Sequence, residues 1–129
     1  MNYIYKATVL KVVDGDTFDL LIDLGYHVFI EKRIRLDGVD TPEVRGEEKT
    51  EGLISKAAVE ELIGGKQVKV ISVRERDKYG RNIARILFGE NDVDLTDHLL
   101  ENNLGEPYVK LFSGFMTKIK GLLVKLGSH

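Results

Sequence analysis

Apolar and polar residues alternate with a period of two over much of the N-terminal third of the chain. The clearest case is the segment 17–24, whose apolar positions are Phe18, Leu20, Ile22 and Leu24. This period is typical of a β-strand with one buried face. The segments 3–13 and 27–38 are rich in β-branched and aromatic residues, which favour strands. Asp14-Gly15 is a strong two-residue hairpin signal, so we predict an antiparallel three-stranded meander.

The pattern changes to a helical spacing after residue 49. Apolar residues recur at Leu53, Ala57, Ala58 and Leu62, and the pair at 64–65 is Gly-Gly, which favours the end of a helix. We therefore predict a helix over residues 50–63. Strands over 67–76 and 82–88 follow, and then a short helix over 95–102. Five strands with a helix between the third and the fourth predict a mainly β fold, a five-stranded OB-type barrel with C-terminal helices.

The last segment, residues 109–126, predicts an amphipathic helix. Its apolar stripe contains Leu111, Phe115, Ile119, Leu122 and Leu126, and its cations are Lys110, Lys118, Lys120 and Lys125. We expect this helix to pack on the barrel. A dimer contact or a membrane-surface helix is the alternative, because the stripe is wide and the polar face is basic.

Composition limits the class of protein. A chain of 129 residues, with 43% hydrophobic and 31% charged residues, is typical of a single globular domain, which we expect to span residues 1–129. The sequence contains no apolar run long enough to cross a membrane and no signal-peptide pattern at its start. We expect a soluble protein, cytoplasmic, or secreted if a leader has been removed.

Charge and residue usage exclude several kinds of site. The chain has no cysteine, which excludes disulfides, thiolate metal sites and a cysteine nucleophile. The net charge of −2 provides no general basic field for nucleic acid, so phosphate binding requires a local cluster. None of the three histidines falls near the acidic and basic clusters of the sequence, so we do not expect a catalytic histidine.

One stretch, residues 35–43, combines a cation, several carboxylates and a proline where a strand is expected to end. Pro42 cannot continue a ladder of hydrogen bonds. The carboxylates of Asp40 and Glu43 and the carbonyl of Thr41 can therefore converge outside the sheet. Oxygen ligands of this kind suit calcium, and Arg35 suits a phosphate. We assign no role to Asp37 and expect it to be solvated.

Two other turns carry matching chemistry. Asp14 and Asp16 flank Gly15 at the first hairpin, while Lys78, Tyr79 and Arg81 fill the turn between the last two strands. Each turn alone is ordinary. If the barrel closes, these turns and the stretch 35–43 can meet at one mouth, where OB-type barrels bind oligonucleotides.

The three blocks 13–17, 35–43 and 77–81 together resemble the thermonuclease, or staphylococcal nuclease-like, family. They occur in the family's order, and the resemblance covers about residues 3–108. It implies a calcium-dependent phosphodiesterase that acts on DNA and RNA, breaks the 5′ P–O bond and leaves 3′-phosphates. The last helix is more apolar, and the net charge more acidic, than in secreted members of that family.

The resemblance also implies roles for individual residues, in three groups. The residues implied to hold the metal ion are Asp16, Asp40 and Thr41 through its carbonyl, with Asp14 in support. The residues implied to act on the reacting phosphate are Arg35, Glu43 and Arg81, with Glu43 orienting or deprotonating the attacking water. The residues implied to contact the rest of the substrate are Lys78, Tyr79 and Tyr108. The alternative is a non-catalytic OB-type module that binds nucleic acid or protein.

Overall fold

The computed structural model describes residues 3–74 and 82–108. Lys78, Tyr79, Arg81 and the predicted helix 109–126 lie outside these residues. Within the described part, the strands are β1 (Ile4–Asp14), β2 (Thr17–Asp23), β3 (Phe29–Leu36), β4 (Val39–Asp40), β5 (Gln67–Arg74), β6 (Asn82–Phe88), β7 (Val93–Asp94) and β8 (Glu106–Pro107). The helices are α1 (Lys49–Ile63) and α2 (Leu95–Glu101), with a short 3₁₀ turn, Gly46–Glu48, before α1.

Five of these strands form a closed barrel. They lie in the order β3-β2-β1-β5-β6, and β3 then pairs with β6 to close the sheet. The closing pair is parallel, with Ile34 opposite Asn82 and Leu36 opposite Ala84, whereas the other pairs in the barrel are antiparallel. β7 extends the sheet beside β6, and β4 pairs separately with β8. The predicted OB-type barrel, with a helix between its third and fourth strands, is confirmed.

The core explains why the alternating pattern specifies this barrel. Phe18 and Leu20 of β2 are completely buried, and so are Ile86 of β6 and the helix residues Val59 and Leu99. The intervening residues of β2 are only partly buried, as expected for a strand with one face on the core. Burial of these side chains provides the main driving force for folding.

Within the described part, each predicted strand or helix begins and ends within two residues of its observed bounds. The predicted end of β5, at residue 76, lies outside the described residues, which include only Gln67–Arg74 of this strand. The main difference is the start of β3, which begins at Phe29 instead of residue 27. Tyr26 and His27 have φ angles of 54° and 59°, in the left-handed region, which cannot continue a strand. They belong to the turn that joins β2 to β3.

The first hairpin turn is shifted by one residue from its prediction. Asp14 pairs with Thr17, so the two loop residues are Gly15 and Asp16. A Cβ atom on Gly15 would lie 3.0 Å from Thr41 Oγ1 and 3.1 Å from Ser55 Cβ. The turn therefore packs closely against the segment after β4 and against α1, and a side chain at this position would require its neighbours to move by a few tenths of an ångström.

No helix in the described part of the chain has the length and apolar character needed to cross a membrane.

Candidate active site

The ends of several elements meet around one pocket. It has a volume of about 210 Å³ and is lined by Asp14, Asp16, Thr17, Arg35, Asp40, Thr41, Glu43 and Tyr108. Every predicted site residue that the structure describes is in this set, although these residues come from the first hairpin, the end of β3, β4 and the segment that follows it, and the residue after β8. The pairing of β2 with β3 places the first hairpin beside the end of β3, and the pairing of β4 with β8 brings Tyr108 to the same pocket.

Asp16 connects the first hairpin to the segment after β4. Its Oδ2 accepts a hydrogen bond from the backbone N–H of Thr41 at 2.9 Å, and its Oδ1 accepts one from Thr17 Oγ1 at 2.9 Å. The backbone carbonyl of Asp16 accepts from the N–H of Leu36 at 2.8 Å. Because these bonds hold both the main chain and the carboxylate, the orientation of this buried carboxylate is set by the fold.

Arg35 is buried, although its neighbours Ile34 and Leu36 point into the core. Its Nη1 donates to the carbonyl oxygens of Leu36 at 2.8 Å and Val39 at 2.7 Å. These two bonds use both hydrogens of Nη1 and fix the plane of the guanidinium. Nη2 is left facing the pocket.

Two carboxylates lie beside Nη2 of this guanidinium. Asp16 Oδ2 and Asp40 Oδ1 are each 3.4 Å from Arg35 Nη2. These contacts are longer than a strong charged hydrogen bond, which is usually about 2.7–2.9 Å. Because the Nη1 bonds fix the guanidinium, Nη2 stays directed at these carboxylates and can donate a shorter hydrogen bond to an anion that enters the pocket.

The same two carboxylates have the chemistry that calcium prefers. Calcium binds oxygen ligands at about 2.3–2.6 Å, and Asp16 Oδ2 and Asp40 Oδ1 both lie beside Arg35 Nη2. The side chain of Asp40 is 45% exposed, whereas that of Asp16 is 8% exposed. Thr41 Oγ1 is a buried polar atom without a hydrogen-bond partner in the same place.

No group of three or more acidic or histidine side chains with the geometry of a metal site occurs among residues 3–74 and 82–108. The predicted ligand set does not require three such side chains. It consists of two carboxylates and a backbone carbonyl, and hard cations accept carbonyl oxygens and water as readily as carboxylates. The chemistry of the donors therefore fits calcium.

Glu43 lies at the rim of the pocket with an exposed side chain. Its backbone N–H donates to Glu48 Oε2 at 3.0 Å, in the 3₁₀ turn that precedes α1. This bond attaches the backbone of Glu43 to the start of α1. Because the side chain is exposed, its carboxylate is accessible to water.

Tyr108 covers the guanidinium of Arg35. The Arg35 Cζ atom is 5.7 Å from the centre of the tyrosine ring, within the range of a cation–π contact. The backbone N–H of Tyr108 donates to the carbonyl of Gly38 at 3.0 Å, and the preceding residue, Pro107, pairs with Val39. The pairing of β8 with β4 is therefore what carries this ring to the pocket.

The remaining predicted residues divide into two groups. Asp14 lines the pocket and is partly buried. Lys78, Tyr79 and Arg81 lie outside the described residues. The strand that follows them, β6, begins at Asn82 opposite Ile34, so it starts next to the strand that carries Arg35.

The expectation that Asp37 is merely solvated was wrong. Its Oδ2 accepts a hydrogen bond from Arg85 Nε at 3.2 Å, and its carbonyl accepts one from Thr96 Oγ1 at 2.6 Å. Arg85 and Thr96 were not singled out in the sequence, because they are 48 and 59 residues away from Asp37. No local pattern indicates such contacts.

The shifted pKa values in the described part belong to a pair outside the pocket. A two-point hydrogen bond from Arg33, with distances of 2.8 and 3.1 Å, lowers the pKa of the Asp19 carboxyl below its usual value. The same contact raises the pKa of Arg33. These residues face each other across β2 and β3 on the outside of the barrel.

Comparison with known proteins gives one family. A family model described as staphylococcal nuclease homologue matches residues 33–120, which is more than half of the chain. The match contains the blocks 35–43 and 77–81, while the block 13–17 precedes it. A search of curated proteins found no match.

Proposed function

The chain belongs to the staphylococcal nuclease homologue family, and from this premise we propose that it is a calcium-dependent phosphodiesterase that acts on DNA and RNA. In the proposed reaction the 5′ P–O bond breaks and a 3′-phosphate remains. The observation that carries the proposal is the arrangement of Asp16 and Asp40 around Arg35 Nη2, each at 3.4 Å. In such an arrangement, a cation can bind to the two carboxylates and a phosphate can bind beside it to Arg35.

The residues that would hold the calcium ion are Asp16, Asp40 and the carbonyl of Thr41. Asp14 supports them from the wall of the same pocket. When bound, a calcium ion supplies Lewis-acid chemistry, since it withdraws charge from a phosphoryl oxygen. Its positive charge also offsets the two carboxylates, which Arg35 alone does not neutralise.

Arg35 binds the phosphate through Nη2, while Nη1 stays on the carbonyls of Leu36 and Val39. Because Nη1 is already held by the protein, Nη2 does not have to be ordered when the substrate arrives. Preorganised donors of this kind stabilise the charge that develops in the transition state. In this proposal Arg81 is the second arginine that binds the phosphate. This role rests on the family resemblance.

Glu43 accepts the proton of the attacking water. Water forms a bond to phosphorus, the bond from phosphorus to the 5′ oxygen breaks, and the 5′ oxygen takes a proton from solvent. An exposed carboxylate at the rim of the pocket has access to that water, as general base catalysis requires. Lys78, Tyr79 and Tyr108 contact neighbouring parts of the substrate in this proposal.

The test is cleavage of a supercoiled plasmid and of an RNA oligonucleotide with calcium or with a chelator. We expect cleavage with calcium only, and products that carry 3′-phosphates in an end-group assay. Glu43→Gln and Asp40→Asn should lower the rate about 10²-fold or more. Asp19→Asn is the matched control, since it makes the same change of a carboxylate outside the pocket.

The non-catalytic alternative gives a different result in the same experiment. If the wild-type chain shifts the mobility of the oligonucleotide but leaves it intact in calcium, the chain is a binding module. Equal cleavage by the wild type and Glu43→Gln, with both folded, would refute the assignment of Glu43.

A further inference from the structure

The turn between β3 and β4, residues 37–38, is held by hydrogen bonds on two sides. On the side of the pocket, Arg35 Nη1 donates to the carbonyls of Leu36 at 2.8 Å and Val39 at 2.7 Å. These two residues flank the turn. The position of the guanidinium therefore depends on the distance between the two carbonyls, and so on the shape of the turn.

On the opposite side, Arg85 of β6 connects the turn to α2. Its Nε donates to Asp37 Oδ2 at 3.2 Å, and its Nη1 donates to the Asp94 carboxylate at 3.3 and 3.4 Å. Asp94 caps α2, because its Oδ1 accepts from the N–H groups of Thr96 at 2.8 Å and Asp97 at 3.3 Å. One guanidinium thus joins the turn to the first residues of the helix.

Two further contacts fix the main chain of the turn. Thr96 Oγ1 donates to the carbonyl of Asp37 at 2.6 Å, and the N–H of Asp37 donates to the carbonyl of Ala84 at 2.8 Å. Gly38 has a φ of +83°, and a Cβ there would lie 3.0 Å from Arg85 Nη2. The turn, Arg85 and Thr96 are therefore packed with no free space between them. We call Asp37, Arg85, Asp94 and Thr96 the turn clamp.

We propose that Arg85 and Asp37 are positioning residues for phosphate binding by Arg35. They do not line the pocket, and they act by holding the turn whose carbonyls orient the Arg35 guanidinium. This inference rests on the proposed phosphodiesterase function. A displacement of about 1 Å in a catalytic group can lower the rate about 10²-fold, so a partly relaxed turn should have a smaller but measurable effect.

The test compares steady-state hydrolysis of an oligonucleotide in calcium by wild type, Arg85→Gln and Asp37→Asn. We expect kcat to fall about tenfold or more in both variants, with KM within twofold, since Arg35 acts mainly on the charge of the transition state. Arg33→Gln is the matched control. It breaks an arginine–aspartate pair on the outside of the same barrel and should leave kcat unchanged.

A double-mutant cycle shows whether the effect passes through Arg35. In a chain that already carries Arg35→Lys, Arg85→Gln should lower kcat by less than twofold, because the guanidinium that it positions is absent. A fall as large as in the wild-type background would overturn the inference. So would an unchanged kcat in Arg85→Gln and Asp37→Asn.

A second measurement separates this inference from the proposed function. The Arg35 Nη1 protons are bonded to two carbonyls, so they should exchange slowly with solvent in ¹⁵N NMR spectra. Arg85→Gln should raise their exchange rate about tenfold. If the wild type hydrolyses nothing but this change is seen, the positioning holds and the proposed activity fails; equal exchange rates in both proteins refute the positioning. If Arg85→Gln does not fold, Asp37→Asn and Thr96→Val give the same readouts.

Discussion

Replacing Arg35 with lysine keeps the charge of the chain and removes only the geometry of the guanidinium. In the wild type, Nη1 bonds two carbonyls at 2.8 and 2.7 Å while Nη2 lies 3.4 Å from two carboxylates. A lysine has a single nitrogen, which cannot reach the carbonyls of Leu36 and Val39 and also face the pocket. The variant must therefore lose either the hydrogen bonds to these two carbonyls or the contact with the phosphate.

The magnitude follows from these contacts. A hydrogen bond to a charged group contributes about 1.5–3 kcal/mol. A lysine that keeps only one of the two hydrogen bonds to the carbonyls should therefore lower the unfolding free energy by about 1–3 kcal/mol. For a domain of this size that corresponds to a fall in melting temperature of about 3–12 °C. The loss of one preorganised donor should lower kcat about 10²-fold or more.

The assay is kcat for oligonucleotide cleavage at saturating calcium, at a temperature where circular dichroism shows that both proteins are folded. Arg33→Lys is the matched control. The side chain of Arg33 is 56% exposed and pairs with Asp19 on the outside of the barrel, so its replacement should cost less than about 1 kcal/mol and leave kcat unchanged. A kcat for Arg35→Lys within threefold of wild type would refute the role given to the guanidinium.

Two further predictions concern stability. Gly15→Ala should lower the unfolding free energy by about 1–3 kcal/mol in urea denaturation, because the added Cβ would meet Thr41 at 3.0–3.1 Å; an unchanged or higher stability would show that the turn can relax. The pKa of Asp19 is lowered by its hydrogen bond from Arg33. The pair therefore stabilises the fold at pH values above the unfolded-state pKa of the carboxyl, and this stability is lost as the pH falls through the folded-state pKa. Asp19→Asn should reduce the loss of stability in acid by about 0.2–1 kcal/mol, since Arg33 is largely solvated. An equal loss of stability at low pH in both proteins would contradict this expectation.

Much of the fold could be predicted because its signals are local. The alternation of apolar and polar residues predicted β2, and the helical spacing of Leu53, Ala57 and Leu62 predicted α1. Residues that favour turns indicated where one element ends and the next begins. The start of β3 was placed too early, since nothing in the sequence of Tyr26 and His27 shows that both adopt a left-handed backbone. Their conformation depends on how the two strands pair.

The candidate site was predicted less completely. Its chemical groups were visible in the sequence, where an arginine, several carboxylates and a proline occur together in residues 35–43. A charged loop at the end of a strand explains that stretch alone equally well. The part that Asp37 plays was missed. Its partner Arg85 is 48 residues away, and their contact exists only because β6 lies beside β3.

The sequence by itself indicated most of the elements and the kinds of chemical group: the five long strands, the position of α1, and the carboxylates and arginine of residues 35–43. The short strands β4, β7 and β8 were not predicted. Period, propensity and residue type are properties of the local chain, so they can be read without the fold. Only the tertiary structure decided that Asp16 and Asp40 face one nitrogen of Arg35, and that Arg85 clamps the turn behind it. The first arrangement depends on the pairing of β2 with β3 and on the turn into β4, and the second on the parallel pairing of β3 with β6 that closes the barrel. No local signal specifies that parallel pairing.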